Sequence, residues 1–143
     1  SVHAEINDLG LLPAYKDGTL GFNIIVGGYF APNQYVTAIP LDAWIPSDDV
    51  VALTLAMMMV YRENGSRENR QKCRMMHLIN QWGIEQFRAE VEQRFGRSLA
   101  TAAEKDEIDW EKRDHIGVYP QKQAGLNYVG LHVPVGRLYA NEM

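Results

Sequence analysis

Thiols and metal-ligand spacings are scarce in this 143-residue sequence. A single cysteine, Cys73, excludes a disulfide framework within the chain, indicates a reducing compartment, and cannot supply all the thiolates of an iron–sulfur cluster. The histidines at positions 3, 77, 115 and 132 show neither HxxxH nor HExxH spacing, which argues against a zinc site. The sequence therefore predicts no catalytic constellation and no metal site of its own.

Long apolar runs and an excess of positive charge are also lacking. The longest apolar run, residues 50–61, is interrupted by Thr54 and is shorter than the roughly 18–20 residues that cross a membrane. The formal net charge is −4, which argues against a general nucleic-acid binder, because such domains are usually basic. We expect neither a membrane nor a nucleic acid as partner.

The first 46 residues combine turn-forming and strand-forming positions. Four prolines and five glycines occur there, a density that favours turns and short strands over helices. The pair Asp17-Gly18 predicts a hairpin turn. Residues 21–28 are apolar and β-branched up to the pair Gly27-Gly28, which predicts a strand buried on both faces or nearly so. The two glycines allow a close approach to this backbone.

Proline is absent between Pro46 and Pro120, and glycines divide that stretch into segments of helical length. The pattern predicts three consecutive helices, at residues 50–63, 67–82 and 85–95. Residues 101–116 mix both signs of charge and predict a solvated connector, whereas residues 125–137 are β-prone. The predicted fold class is therefore α+β, with short strands in a β-hairpin, three consecutive helices and a final β-prone segment.

Basic residues are concentrated around the second predicted helix. Residues 62–74 hold five basic and two acidic residues, a net charge of +3 in a chain whose total is −4. On a helix, four side chains of this region share a sector of about 80° beside an apolar sector: Arg67, Arg70, Arg74 and His77. Such a stripe suits a flat anionic ligand with an apolar side, because guanidinium groups pair with carboxylates or phosphates. A solvated helix face without a ligand is the simpler interpretation of the pattern alone.

Motifs along the whole chain resemble a known family. The first group is Ile6-Asn7-Asp8-Leu9, Gly21-Phe22-Asn23-Ile24-Ile25-Val26-Gly27-Gly28 and Ala38-Ile39-Pro40-Leu41-Asp42-Ala43-Trp44. The second is Asn69-Arg70-Gln71-Lys72-Cys73-Arg74-Met75-Met76, and the third is Pro120-Gln121-Lys122-Gln123, Gly125-Leu126-Asn127-Tyr128-Val129-Gly130-Leu131 and Val133-Pro134-Val135-Gly136-Arg137. In this order they resemble the ferredoxin-dependent nitrite reductases, within the superfamily of siroheme nitrite and sulfite reductases.

The resemblance implies an internal segment of a longer enzyme that reduces nitrite to ammonia with six electrons from ferredoxin, through a [4Fe–4S] cluster and siroheme. Residues 1–100 would belong to the first siroheme-binding domain, residues 101–116 to the charged connector, and residues 117–143 to the start of a second ferredoxin-like half-domain. This chain alone would bind no cluster and would be inactive. The alternatives are a sulfite reductase segment and a stand-alone module that binds an anionic tetrapyrrole.

Cofactor contacts, partners and location also follow from the resemblance. The side chains that would face the siroheme carboxylates are Asn69, Arg70, Gln71, Lys72 and Arg74, with Asn23, Gly27 and Gly28 nearby. None of these residues is expected to be catalytic or to bind a metal. Ferredoxin and the rest of the longer chain are the expected partners, the parent enzyme is expected to be monomeric, and its expected location is the cytoplasm of cyanobacteria or the plastid stroma.

Overall fold

The structure is a computed structural model that describes residues 3–31, 34–107 and 115–133. The chain forms two compact units, Ser1–Ile108 and Asp109–Met143. Parts of two predicted segments, residues 108–114 of the connector and residues 134–137 of the β-prone run, lie outside the described residues. The domain limits predicted at residues 100 and 117 stay predictions.

A three-stranded antiparallel sheet in the order β1-β2-β5 forms one layer of the first unit. A separate antiparallel hairpin, β3 with β4, follows the central strand. The strands are β1 (Leu9–Lys16), β2 (Thr19–Val26), β3 (Tyr29–Ala31), β4 (Gln34–Val36) and β5 (Ile39–Pro46). The short strands predicted for this part of the chain are therefore present.

The turn between β1 and β2 consists of Asp17 and Gly18, as predicted. Their φ angles, 51° and 76°, are both positive, which is the conformation that suits a two-residue turn between strands with right-handed twist. Pro13 is tolerated within β1 because β1 is an edge strand. The turn sets the register of the hairpin, with Lys16 opposite Thr19.

The central strand β2 is covered on both faces. None of residues 21–28 is exposed, which confirms the prediction of a strand buried on both faces or nearly so. Its pairing with β5 is irregular between Asn23 and Ile25, and in that part of β5 Asp42 has a φ of 53°. The irregularity turns the Asp42 backbone out of the ladder, where another side chain reaches it.

Three consecutive helices follow the sheet in the first unit, and with the strands they confirm the α+β fold class. The first and third agree with the predicted helices to within one residue at each end. The helices are α1 (Val50–Asn64), α2 (Met75–Trp82) and α3 (Ile84–Phe95).

The second helix is shorter than predicted. Residues 67–74 lie outside the α-helix and form a loop with one 3-10 turn, Arg70–Lys72. Asn69 and Arg74 have extended backbones, with φ of −122° and −130°. The Asn69 side chain accepts a hydrogen bond from the backbone N–H of Gln71, and such local bonds compete with helix formation. The prediction of a continuous helix over residues 67–82 is wrong.

The hydrophobic core lies between the sheet and the helices. The predicted stripe of α3 is present, with Phe87 and Val91 fully buried and Ile84 and Phe95 packed at the margin of the core. The same core cluster contains side chains from the sheet and the other two helices, which include Ile24, Val26, Leu41, Ile45, Leu53, Met57 and Ile79.

The second unit contains one antiparallel hairpin, β6 (Gly117–Pro120) with β7 (Asn127–Gly130), among its described residues. The Tyr119 and Tyr128 rings lie opposite each other and stack, with centroids 5.3 Å apart. The β-prone prediction is therefore confirmed over residues 127–130. A two-stranded sheet is marginally stable in water on its own, and both Val118 and Val129 are exposed.

Arg88 of α3 joins the helices to the irregular part of β5. Its guanidinium donates hydrogen bonds to the carbonyl oxygens of Leu99 at 2.8 Å, Leu41 at 3.3 Å and Asp42. Its Nε donates to the Glu92 carboxylate at 3.2 Å, and that carboxylate also accepts the N–H of Leu99 at 2.9 Å. One side chain thus supplies hydrogen bonds to three backbone carbonyls, two of them in the irregular part of β5.

We expect Arg88→Leu to lower the free energy of unfolding by about 2–4 kcal/mol, because it removes several hydrogen bonds from one charged donor, and those to the Leu41 and Leu99 carbonyls are partly buried. The matched control is Arg97→Leu, which removes an exposed ion pair with Asp49 and should cost less than about 1 kcal/mol. Urea unfolding of both variants measures the difference. Equal losses of stability would show that Arg88 is an ordinary surface arginine.

Candidate functional site

The loop between α1 and α2, residues 65–74, carries most of the predicted site residues. Asn69 organises this loop, because its side chain accepts the N–H of Gln71 at 2.9 Å and its carbonyl oxygen accepts the N–H of Lys72 at 2.8 Å. The Cys73 thiol donates to the same carbonyl at 3.1 Å. These bonds place Arg70, Gln71 and Lys72 on one tight turn, and all three residues are exposed.

Arg70 and Lys72 place two positive charges on the exposed side of the loop. Within the part of the chain that the structure describes, neither side chain has a hydrogen-bond or ion-pair partner. The two cations lie two positions apart on a turn whose backbone is held by Asn69. The turn therefore presents a guanidinium and an ammonium group that an anion can approach from solvent.

Arg74, by contrast, already has an acidic partner. Its guanidinium donates to both carboxylate oxygens of Asp8, at 3.2 Å from Nε and 2.6 Å from Nη2. The guanidinium also lies over the Tyr29 ring, 4.7 Å from the centroid. Asp8 accepts the backbone N–H of Met75 at 3.3 Å as well, so it holds the first residue of α2. Arg74 is thus fixed in place and largely neutralised.

The basic side chains do not form the single helical stripe that the sequence predicted. Arg67 turns back onto its own loop, where its guanidinium donates to the carbonyl oxygens of Arg62 at 3.4 Å and Ser66 at 3.2 Å. It also lies over the Tyr61 ring, 5.0 Å from the centroid. Because residues 67–74 are not α-helical, the positions of these cations follow from the loop and not from a period of 100° per residue.

Asn23 has a set of partners within its own unit. Its side-chain amide donates to the Ala103 carbonyl oxygen at 3.0 Å and to the Asp106 carboxylate at 2.7 Å, and it accepts the N–H of Ala103 at 2.7 Å. Asn23 is 8% exposed. The side chain therefore ties the segment after α3 to the central strand, and its hydrogen-bonding capacity is largely used there.

The close approach predicted at Gly27 and Gly28 is made by other residues of the same chain. A Cβ on Gly28 would lie 2.5 Å from the Glu5 carbonyl oxygen, and one on Gly27 would lie 3.2 Å from the Ile79 side chain. The residue covering Gly28 has a perturbed carboxyl: a hydrogen bond with its own backbone N–H, and then one with His3, lower the pKa of Glu5. The absence of side chains at Gly27 and Gly28 thus allows an N-terminal turn and α2 to pack closely against this backbone.

Asp8 connects these predicted positions, although no role was predicted for it. Its carbonyl oxygen accepts the N–H of Gly27 at 2.9 Å while its carboxylate holds Arg74 and Met75. The strand pair β1–β2 and the start of α2 therefore share one anchor. The only available signal was the position of Asp8 in the Ile6-Asn7-Asp8-Leu9 motif, because its partner lies 66 residues away.

Two cavities flank the loop. One of about 230 Å³ is lined by residues that include Arg74, Cys73 and Met58. The other, of about 340 Å³, is lined by residues that include Lys72 and His77. Among the described residues no group of histidine, cysteine and acidic side chains could hold a metal ion. No helix in the described ranges is long and apolar enough to cross a membrane.

Comparison with known proteins identifies the family of this chain. Residues 1–99 match the family model of the nitrite and sulphite reductase 4Fe-4S domain, so the chain belongs to this family. The predicted resemblance is confirmed. The Mycobacterium tuberculosis NirA protein has a similar structure, with a TM-score of 0.68 and 30% sequence identity over 86% of this chain and 22% of that protein.

More similar relatives are named ferredoxin–nitrite reductase. The one from Leptolyngbya laminosa is 62% identical over 140 residues, which cover 98% of this chain and 28% of the relative. The chloroplastic one from Spinacia oleracea is 52% identical over 144 residues, covering 99% of this chain and 24% of the relative. The chain therefore spans about a quarter of the length of the relatives that it matches.

We expect Asp8→Ala to lower the free energy of unfolding by about 1–2 kcal/mol, since the ion pair with Arg74 is more than a third exposed and is partly screened by solvent. Asp8→Asn should cost less, because the amide oxygen can still accept the Met75 N–H. Urea unfolding measures both effects, and amide hydrogen exchange should accelerate in residues 65–76. The control Asp48→Ala, at an exposed position, should change stability by less than about 0.5 kcal/mol. Unchanged exchange in the loop would contradict the anchoring role.

Proposed function

We propose that this chain is part of a ferredoxin-dependent nitrite reductase, in which the loop at residues 65–74 forms a wall of the siroheme site. The observation that carries the proposal is the pair Arg70 and Lys72, which lie on one hydrogen-bonded turn and have no partner among the residues described. The names of relatives that match nearly the whole chain at 52–62% identity support the enzyme class.

The residues present fit a ligand of this type. Siroheme carries eight carboxylates around an apolar macrocycle, and burying a carboxylate without a cationic partner costs several kcal/mol. The turn offers the guanidinium of Arg70, the ammonium of Lys72 and the amide of Gln71 as donors, and all three are exposed. Asn69 and Arg74 would act by holding the turn and its flank in place, because the Asn69 side-chain oxygen and the Arg74 guanidinium already have partners in the chain.

Siroheme coupled to a [4Fe–4S] cluster, when bound, would supply the chemistry that converts nitrite to ammonia with six electrons from ferredoxin. The residues of this chain would bind and orient the cofactor. Arg70 would pair with a carboxylate through two N–H groups, and Lys72 would add a point charge. Cys73 is the only thiol of the chain, so cysteines outside these residues would hold the cluster.

The same proposal assigns the parts of the chain. Residues 1–100 would belong to the first siroheme-binding domain, and residues 101–116 would form the connector. Residues 117–143 would open the second ferredoxin-like half-domain, where the exposed hairpin β6–β7 would join a larger sheet. The enzyme would be monomeric, would receive electrons from ferredoxin, and would lie in the cytoplasm of a cyanobacterium or in the plastid stroma.

Sulfite is the second candidate substrate, because the description of the family names both anions. The names of the relatives favour nitrite. Comparing the rates at which the full-length enzyme consumes nitrite and sulfite with the same electron donor distinguishes the two substrates.

The exposed apolar face of α1 supports the proposal that this chain is part of a larger protein. Leu53 and Met57 are buried in the core, but Val51, Leu55 and Met58 on the opposite face are 78%, 58% and 58% exposed. A helix that is apolar on all sides is normally buried on all sides. The rest of the polypeptide, about three quarters of the length of the relatives, would supply the surface that covers this face.

We expect the double variant Arg70→Gln/Lys72→Gln of the full-length protein to bind siroheme about 100-fold more weakly, because it loses two charge-assisted contacts. Siroheme per polypeptide, measured by the absorbance of the macrocycle after gel filtration, gives the result. The matched control is Arg97→Gln/Lys105→Gln, which removes two exposed cations outside the loop and should leave siroheme content unchanged. Full siroheme occupancy in the loop variant would contradict the proposed wall.

Leu55→Lys should destabilise the full-length protein by about 2–4 kcal/mol, because it would place a charge in an apolar contact. The same substitution in the 143-residue chain should change stability by less than about 0.5 kcal/mol, since the side chain is exposed there. Gln86→Lys, on the polar face of α3, is the control and should be neutral in both. Thermal or urea unfolding measures the stability change for both substitutions in both proteins. An equal effect of Leu55→Lys in the two proteins would show that the face is not covered.

A further inference from the structure

The larger cavity beside the loop is lined by hydrogen-bond donors from two elements. Ser66 and Lys72 come from the loop, and His77 and Gln81 come from α2, where the i, i+4 spacing places them on one face. Leu78, which is 3% exposed, forms the apolar floor. The cavity has a volume of about 340 Å³, which is large enough for a carboxylate with part of the arm that carries it.

The polar side chains of this cavity have a common chemistry. The ammonium, imidazole, amide and hydroxyl groups can all donate hydrogen bonds, and the imidazole can do so whether or not it is protonated. Among the described residues that line the cavity, none is acidic. In the described ranges, none of the four side chains has another hydrogen-bond partner. Four donors without partners around one cavity make a site for an anion with several acceptor oxygens.

We propose that this cavity is a carboxylate-binding site, in which Lys72 supplies the charge and Ser66, His77 and Gln81 supply neutral hydrogen bonds. The planar carboxylate has two oxygens and can accept from the loop on one side and from α2 on the other. A carboxylate bound there joins the loop to α2 through the ligand. Gln81 and Ser66 are binding residues that the cationic pattern of the sequence did not indicate, whereas His77 was part of that pattern.

In the full-length enzyme, the carboxylate belongs to an arm of the tetrapyrrole, and this part of the inference rests on the proposed function. Lys72 is common to the cavity and to the turn that carries Arg70, so one continuous surface would hold neighbouring arms. A free carboxylate anion has the same chemistry. Two measurements distinguish these sources.

The first measurement uses the full-length protein carrying His77→Leu and Gln81→Leu. We expect siroheme to dissociate at least about tenfold faster in dilute urea, because two donors are lost while Lys72 and Arg70 remain. The matched control, His132→Leu with Gln93→Leu, changes an exposed histidine and an exposed glutamine outside the cavity and should leave the rate unchanged. The variant His77→Gln with native Gln81 retains a donor and should keep most of the siroheme affinity. Unfolding midpoints of all variants identify any general loss of stability.

The second measurement uses the 143-residue chain and tricarballylate, a soluble tricarboxylate, with sodium chloride at equal ionic strength as the reference. We expect saturable shifts in the NMR signals of the His77 ring and the Gln81 amide, and their loss in the His77→Leu/Gln81→Leu variant. Faster siroheme release assigns the carboxylate to the cofactor. Tricarballylate binding without any effect on siroheme release assigns the site to a free carboxylate.

If neither measurement shows an effect, the proposed carboxylate site is overturned. That result is separable from a failure of the proposed function. If the full-length protein holds siroheme and loses it only when Arg70 and Lys72 are changed, the wall stands and the cavity has no part in it. If the purified full-length protein never holds siroheme, the proposed function fails, and the tricarballylate titration alone decides the carboxylate site.

Discussion

The carboxylate of Asp8 is the constraint on which the candidate site depends. It receives the Arg74 guanidinium and the first N–H of α2, while the backbone of the same residue accepts the N–H of Gly27. One residue therefore fixes where the strand pair ends, where α2 begins and how Arg74 is held. Because α2 cannot extend backwards past this anchor, residues 65–74 are left as a loop. Arg70 and Lys72 project from that loop without partners among the described residues.

The sequence predicted those features whose causes are local. The Asp17-Gly18 turn specifies its own backbone conformation, the apolar run at residues 21–28 predicts a buried strand, and the spacing in α3 places Phe87 and Val91 in the core. The start of α2 was missed, because helical periodicity continues through residues 67–74 while the Asn69 bond and the distant Asp8 carboxylate interrupt it. Partners far along the chain, such as Ala103 for Asn23, leave no local pattern. The family resemblance predicted which segment carries the site, but only the contacts show which of its side chains have no partner among the described residues.

Two features are difficult to explain for residues 1–143 taken alone and are natural within a larger enzyme. One is the exposed apolar face of α1, and the other is the pair Arg70 and Lys72, which have no partner in the part of the chain that the structure describes. Both features call for contacts with another surface. The apolar face of α1 calls for apolar contacts, and the two cations call for anionic oxygens. A chain that spans about a quarter of its relatives would obtain both from the cofactor and from the rest of the polypeptide. On the proposed function, both surfaces would be covered in the whole protein.

The most direct measurement of the central claim is an experimental structure of the full-length protein with its cofactor bound. The account predicts that nitrogen atoms of Arg70 and Lys72 lie within about 3.2 Å of siroheme carboxylate oxygens, while Arg74 keeps its pair with Asp8. Carboxylates bound entirely by other residues, with Arg70 and Lys72 pointing into bulk solvent, would contradict it.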